Sequence, residues 1–413
     1  MPIKARLGAM MFLEYVVWGT WYVTIGTWLS VAKHFTGQQI GLISGTTAVG
    51  AIVAPFFVGL IADKVFATEK VLATLHLVGG LLLYFASRQT TFPAIYALML
   101  LHCACYMPTL ALTNSLSFRH IGNPQQEFGP IRVLGTLGWI VISLIVGALK
   151  IEATSTPLLL GAGMSMVMAC YCLTLPHTPP LARGDKLTIG SLFPREALAL
   201  LKERSMATFA IASFLVCIPL TFYFTFTNVF LNQSGVANAA GKMSGGQMSE
   251  LFCMLLIPFF FRRLGVKYML AAGMLAWVVR YLLFAYGNAG SGVWMLWVGI
   301  LLHGICYDFF FVTGQIYIDR KAPAEMRAAA QGLIAFITLG LGMFVGSWLS
   351  GVVVDRYTVT AAGVAPVYNW HGVWIFASAA SAAVLVAFLL LFKERESVPV
   401  VSAVSEPMAG VPL

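Results

Sequence analysis

The chain has 413 residues, of which 59% are hydrophobic and only 10% charged, with a net charge of +9 and a mean hydropathy of +0.85. A soluble globular protein carries roughly 25% charged residues, so this composition excludes a soluble enzyme or binding domain and requires an integral membrane protein. Apolar stretches of about 20 residues, rather than alternating strands of about ten, point to helices and against a barrel.

In chain order, apolar windows predict twelve spans: 8–31, 40–61, 69–87, 93–117, 129–149, 156–176, 206–231, 244–262, 267–286, 292–318, 328–352 and 370–392. The first follows Lys4 and Arg6 as a signal peptide would, but its apolar run is too long for a cleaved signal. The longest polar interval, "HTPPLARGDKLTIGSLFPREALALLKERS", divides the chain six and six. The expected domains are therefore a bundle over 1–176, a linker over 177–205 and a bundle over 206–392, with a disordered tail over 393–413.

With the N-terminus inside, 18 of the 25 Lys and Arg fall on inner segments and five on outer ones, with Arg132 and Arg280 inside spans. Basic residues favour the cytoplasmic side, so both termini and the linker are expected there. Their dispersal between spans also argues for membrane lipid, not nucleic acid, as the surrounding partner. The seven cysteines lie within or beside apolar runs and form no CxxC pairs, so buried free thiols are expected and no metal site. Two six-helix bundles joined by a cytoplasmic loop is the layout of the major facilitator fold, an all-α integral membrane architecture. The longest loop is under 30 residues, which leaves no room for an enzyme domain. Among the seven histidines, the pattern places only His303 well inside a span.

An ionisable group at the bilayer centre costs on the order of 2.5–3.5 kcal/mol on insertion scales, and those that remain line cavities or pair. Five are found here: Glu14, Arg132, Glu250, Arg280 and Asp308. Three acids and two bases could nearly neutralise one another across a cavity, with Arg280 as a structural partner for an acid. Helical spacing places Arg132, Thr136 and Trp139 on one stripe, Gln247 and Glu250 on another, and His303 and Tyr307 on a third beside Asp308. Thr221, Thr225 and Asn228 share one side of the seventh span. Arg offers a planar fork, amides both donate and accept, and Trp and Tyr offer stacking surfaces. Together they suit a polar, neutral, ring-containing small molecule: a nucleobase with its ribose, a sugar or an aromatic metabolite. No cofactor is implied.

The stretches "FLEYVVWGTWYVTIGTWL", "YMPTLALTNSLSF", "GPIRVLGTLGWI", "QMSELFCMLLIPFFFRRLGVK", "AWVVRYLLFAYG" and "CYDFFFVTGQIYID" together resemble the proton-coupled nucleoside permeases of the major facilitator superfamily. The resemblance is collinear over nearly the whole chain. It implies symport of a nucleoside with a proton into a bacterial cell, by a monomer in the inner membrane. A transporter of another polar ring compound is the alternative. The family's substrate Arg and Thr fall on Arg132 and Thr136, and its Gln and Glu on Gln247 and Glu250. Departures from well-known members occur at Trp139, His303 and Tyr307, and in the seventh span, where Phe222 and Thr225 take the places of a polar Gln and Asn. Glu14 also stands where Gln is known, which adds a candidate proton carrier to Glu250 and Asp308. "GLIADK", with Asp63 as its acid, is similar to the superfamily's inner-gate loop motif. "GVVVDR", Gly351 to Arg356, has the same pattern on the outer side and is expected to be coincidental.

Overall fold

The computed structural model describes residues 2–57, 66–180, 198–323, 326–360 and 364–393. In chain order the helices are α1 (Ile3–Trp21), α2 (Ile25–Lys33), α3 (Gly37–Ser44), α4 (Thr46–Phe57), α5 (Thr68–Arg88), α6 (Phe92–His120), α7 (Pro124–Ala148) and α8 (Thr156–Cys172). They continue as α9 (Arg204–Gln233), α10 (Ala239–Tyr286), α11 (Val293–Leu301), α12 (His303–Tyr307), α13 (Thr313–Lys321), α14 (Arg327–Ala335), α15 (Met343–Arg356) and α16 (Trp370–Leu391). Among the described residues, eight helices are long and apolar enough to cross a membrane. Among the described residues, strand-type pairing amounts to one isolated bridge, Thr358 with Tyr368.

Several predicted spans are interrupted. A turn at Tyr22–Thr24 parts α1 from α2 within the first. The end of the second, with the gate candidate Asp63, lies outside the described residues, as do 181–197 of the linker and 394–413 of the tail. Conversely, α10 runs two predicted spans together, bent where Gly265 takes φ 65° and ψ −179°. That backbone region is open essentially to Gly alone, and it lets the chain turn back just after Arg262 and Arg263. An added Cβ there meets no other atom within 4 Å. Gly265→Ala therefore isolates backbone strain, and thermal unfolding should show a loss of about 1–3 kcal/mol; an unchanged melting curve would refute that reading.

Packing of α1 on α7 depends on glycine. A Cβ at Gly138 would lie 2.3 Å from the Phe12 carbonyl oxygen, backbone that has nowhere to go. Gly138→Val should cost more than the ~1–3 kcal/mol usual for overpacking, read as loss of folded protein on size-exclusion in detergent. This close approach holds the Arg132 stripe of α7 against the aromatic stripe of α1.

Helix ends gather on two faces. On the Lys4 face, Lys4 pairs with Glu127 at 2.7 Å, the Tyr171 hydroxyl donates to the Arg6 carbonyl at 2.9 Å, and Lys321 pairs with Glu203 at 2.6 Å. On the opposite face, Asp355 at the end of α15 accepts from the backbone N–H groups of Gly37 and Gln38 and so caps α3. The two helices cross so closely that a Cβ on Gly41 would lie 2.2 Å from the Ser347 carbonyl, and one on Gly351 would lie 2.3 Å from that of Gly37. Beside them Glu152, 4% exposed, accepts from Asn228 Nδ2 at 2.9 Å, Asn232 Nδ2 at 2.8 Å and the Ala240 N–H at 2.9 Å. Thr27 donates to Asn228 Oδ1 at 2.6 Å. Among the described residues, every hydrogen bond joining the stretch before residue 177 to the stretch after 203 lies on this Asp355 face. "GVVVDR", expected as coincidence, thus supplies the capping acid of the closure. All seven cysteines are free, as expected, but Cys170 is exposed and Cys105 only partly buried.

Candidate functional site

The sequence "EYVVWGTWY" puts Tyr15 and Trp18 on one stripe of α1, continued at i+7 by its C-cap Tyr22. Trp18 meets Trp139 of α7 edge-on at 5.3 Å, and Tyr22 meets Trp139 at 5.9 Å. Tyr22 also reaches Phe224 of α9 at 5.8 Å, which meets His303 at 5.7 Å. His303 lies 5.8 Å from Tyr307, and Tyr307 lies 4.9 Å from Phe311. An unbroken band of rings therefore crosses from the first part of the chain to the second. Tyr223 stacks on His303 at 5.0 Å and holds its ring in place.

Charged groups border this band. The Arg132 guanidinium lies 4.3 Å from the Tyr15 ring centre. Glu250, with its side chain 25% exposed, has Oε2 3.9 Å from His303 Nε2 and feels the Arg132 charge. Thr136 and Gln247, each partly exposed, sit one turn from Arg132 and Glu250 on their own helices. Neither side chain holds a hydrogen bond among the described residues, so both are open to a ligand. The structure thus brings together Arg132, Trp139, Glu250, His303 and Tyr307, with Thr136 and Gln247 flanking them. A cleft starts at Tyr307 and Phe311 and runs past Ser213 and Thr338 to Gln315 and Gln331, toward the Lys321 end.

Two candidates lie elsewhere. Asn228 has both ends of its amide engaged, by Thr27 and by Glu152, in the closure of the Asp355 face. Thr225 is buried, with its carbonyl against Gly26 of α2. From α9 it is Tyr223 and Phe224, not the threonine stripe, that meet the ring band. Nothing in the residue pattern marks this, because the helix is buried nearly all round and no face is set apart by polarity.

The buried charges also differ from expectation. Arg280 meets no acid among the described residues: its Nε donates to the Gly299 carbonyl at 2.9 Å, and its guanidinium lies 4.1 Å from the Tyr223 ring. Asp308 is fully buried, and among the described residues neither carboxylate oxygen has a hydrogen-bond partner. It opens a π-helical stretch, Asp308–Val312, between α12 and α13; such π turns recur at functional sites. Glu14 is fully buried and pairs with His76 of α5 at 2.9 Å. The expectation that only His303 sits within a span is therefore corrected, since His76 and His102 are buried in α5 and α6. The polar groups that pair with these histidines come from other helices, which sequence spacing cannot show. Tyr15, Trp18 and Tyr22 were legible as a stripe but were passed over in favour of charged residues.

Apolar helices of membrane-crossing length around a centre lined with acids, a guanidinium and rings define a multi-pass membrane transporter. The chain belongs to the Nucleoside H+ symporter family, whose sequence model matches residues 1–397. It is 41% identical to the putative nucleoside transporter YegT of Escherichia coli over 96% of this chain and 95% of that one. It is 32% identical to the E. coli nucleoside permease NupG, over 96% and 97%. The crystal structure of the nucleoside transporter NupG superposes with a TM-score of 0.88 at 31% identity, covering 96% of this chain and all of that one. The architecture is that of the major facilitator superfamily.

Proposed function

We propose that this protein imports nucleosides by proton symport through alternating access. The observation that carries the reading is the meeting of Glu250, Arg132 and a ring band between the two parts of the chain, in a member of the Nucleoside H+ symporter family. A nucleoside has no net charge, so accumulation needs a coupling ion, and a carboxylate touching both substrate and solvent can link proton binding to substrate binding. In the proposed assignment Arg132 and Thr136 donate to the nucleoside, Gln247 reads a base edge, and Glu250 accepts from ribose hydroxyls and carries a proton. Trp139, His303 and Tyr307 flank the base, and Asp308, buried without a partner, is the next candidate for a proton.

The architecture proposed is twelve crossings in two six-helix halves, 1–176 and 206–392, with both termini in the cytoplasm of a bacterial cell and the protein in its inner membrane. Under that orientation the Asp355 face is outside and closed, and the cleft at Tyr307 leads inward, so the arrangement corresponds to an inward-facing carrier. Uridine uptake into proteoliposomes, with and without an inward proton gradient, tests the reading. Gradient-stimulated uptake, competed by other nucleosides, is expected. Absence of uridine uptake in both conditions, with uptake of a sugar or aromatic acid instead, would overturn the substrate assignment.

A further inference from the structure

We propose that Glu14 and His76 form a second proton-binding site, separate from Glu250, whose proton crosses with the substrate; the inference rests on the transport reading above. Four helices build the site. Glu14 comes from α1, His76 from α5, Thr109 from α6 and Ser165 from α8, and the Glu14 and His76 side chains are 0% and 1% exposed. Glu14 Oε2 lies 2.9 Å from His76 Nε2, and Oε1 accepts the Thr109 hydroxyl at 2.6 Å. His76 Nδ1 lies 3.2 Å from Ser165 Oγ.

Hydrogen-bond accounting gives the pair two arrangements that differ by one proton. Ser165 has one hydroxyl proton, within reach of both the His76 carbonyl at 2.8 Å and His76 Nδ1 at 3.2 Å. Donated to Nδ1, it leaves the ring proton on Nε2, directed at a Glu14 carboxylate. Donated to the carbonyl, it lets Nδ1 carry the ring proton, and the contact from Nε2 to Glu14 then takes one proton more, on the ring or on the carboxyl. Thr109 offers a similar choice at Oε1, since its hydroxyl reaches both Glu14 and the Tyr106 carbonyl at 2.6 Å. The site thus has a built place for one added proton.

Among the described residues, no cationic side chain contacts the pair. Tyr106 of α6 donates to the Glu14 backbone carbonyl at 2.6 Å, and His102 directs Nδ1 to the Gly79 carbonyl at 2.8 Å. Cys172 of α8 and Tyr15 of α1 are the other titratable side chains beside the pair. The Arg132 guanidinium of α7 lies 4.3 Å from the ring centre of Tyr15, the residue next to Glu14 on α1. The Tyr106 ring also lies 6.0 Å from Trp18, which touches Trp139 in the ring band. A substrate that engages Arg132 therefore bears on the Glu14 pair through Tyr15, and one that engages Trp139 bears on it through Trp18 and Tyr106.

The test measures how far proteoliposomes accumulate uridine against an imposed gradient of one pH unit, with the membrane potential clamped to zero. Each coupled proton contributes about a tenfold ratio per pH unit. The wild type is expected to approach about 100-fold, and Glu14→Gln and His76→Gln about tenfold, with uridine exchange retained in both variants. A wild-type limit near tenfold, or an unchanged limit in Glu14→Gln, overturns the second site while leaving nucleoside symport intact. Failure of the wild type to accumulate uridine at all counts instead against the transport reading. A wild-type limit near tenfold overturns the second site even if both variants fail to fold, and a limit near 100-fold that Asp308→Asn lowers and Glu14→Gln does not assigns the second proton to Asp308 and overturns it as well.

Discussion

Glu250→Gln should abolish concentrative uptake of nucleoside while leaving exchange across the membrane largely intact. Glutamine has the shape of glutamate and can still bond ribose hydroxyls, so binding should weaken by no more than about 1.5 kcal/mol, the scale of one neutral hydrogen bond. What it cannot do is change charge. Glu250 sits 3.9 Å from His303, within the field of Arg132, and is partly open to solvent. It is therefore the acid placed to sense both substrate and the side from which the cavity is open. With a permanently neutral group there, empty and loaded carriers reorient alike, and a proton on any other site leaks back without substrate. Accumulation in proteoliposomes under a pH gradient should collapse to equilibration, while counterflow of labelled uridine persists. If counterflow disappears with accumulation, Glu250 is chiefly a substrate ligand; if accumulation survives, it is not the coupling carboxylate.

Breaking the closure of the Asp355 face should shift the carrier toward its outward-open state. Asp355 accepts two backbone N–H groups at the start of α3, where the helix dipole also favours an anion. Charge-assisted caps of this kind contribute about 1–2 kcal/mol. Glu152 adds three donors from α9 and α10. The doubly substituted Asp355→Ala, Glu152→Gln protein should therefore gain outward-open population by at least about tenfold, since 1.4 kcal/mol is a factor of ten. Spin labels at exposed Gln38 and Val359, one on each side of the closure, report it as a longer distance population in double electron–electron resonance. An unchanged distribution would mean that the close crossing of α3 and α15 at Gly41 and Gly351 holds the face shut without the acids.

These expectations differ in how much of them was visible before the structure. Glu250 and Arg132 stood out because an ionisable residue in an apolar run is conspicuous by chemistry alone, and Trp139 followed from its spacing to Arg132. Asn228 was read toward the same site because its spacing to Thr225 was helical. Spacing says which residues share a face but not what that face meets. Asp355 was discounted for the same reason: its motif pointed to an inner loop, while its function comes from a helix some 300 residues earlier in the chain.

The sequence by itself determined the membrane class, the main apolar spans, the charge asymmetry between loops and the identity of the intramembrane charges, all of them properties of local composition. Only the tertiary structure decided that Glu14 meets His76, that Glu152 gathers Asn228 and Asn232, that Arg280 rests on Tyr223, and that the ring band passes through Phe224. The physical reason lies in the surroundings of the helices. In a water-soluble protein, polarity marks the outer face of each helix and fixes its rotation; here lipid and protein interior are both apolar, so most helix faces look alike in sequence. Rotation and pairing are then settled by close packing at small residues such as Gly138 and Gly41, and by partners for buried polar groups contributed from distant parts of the chain.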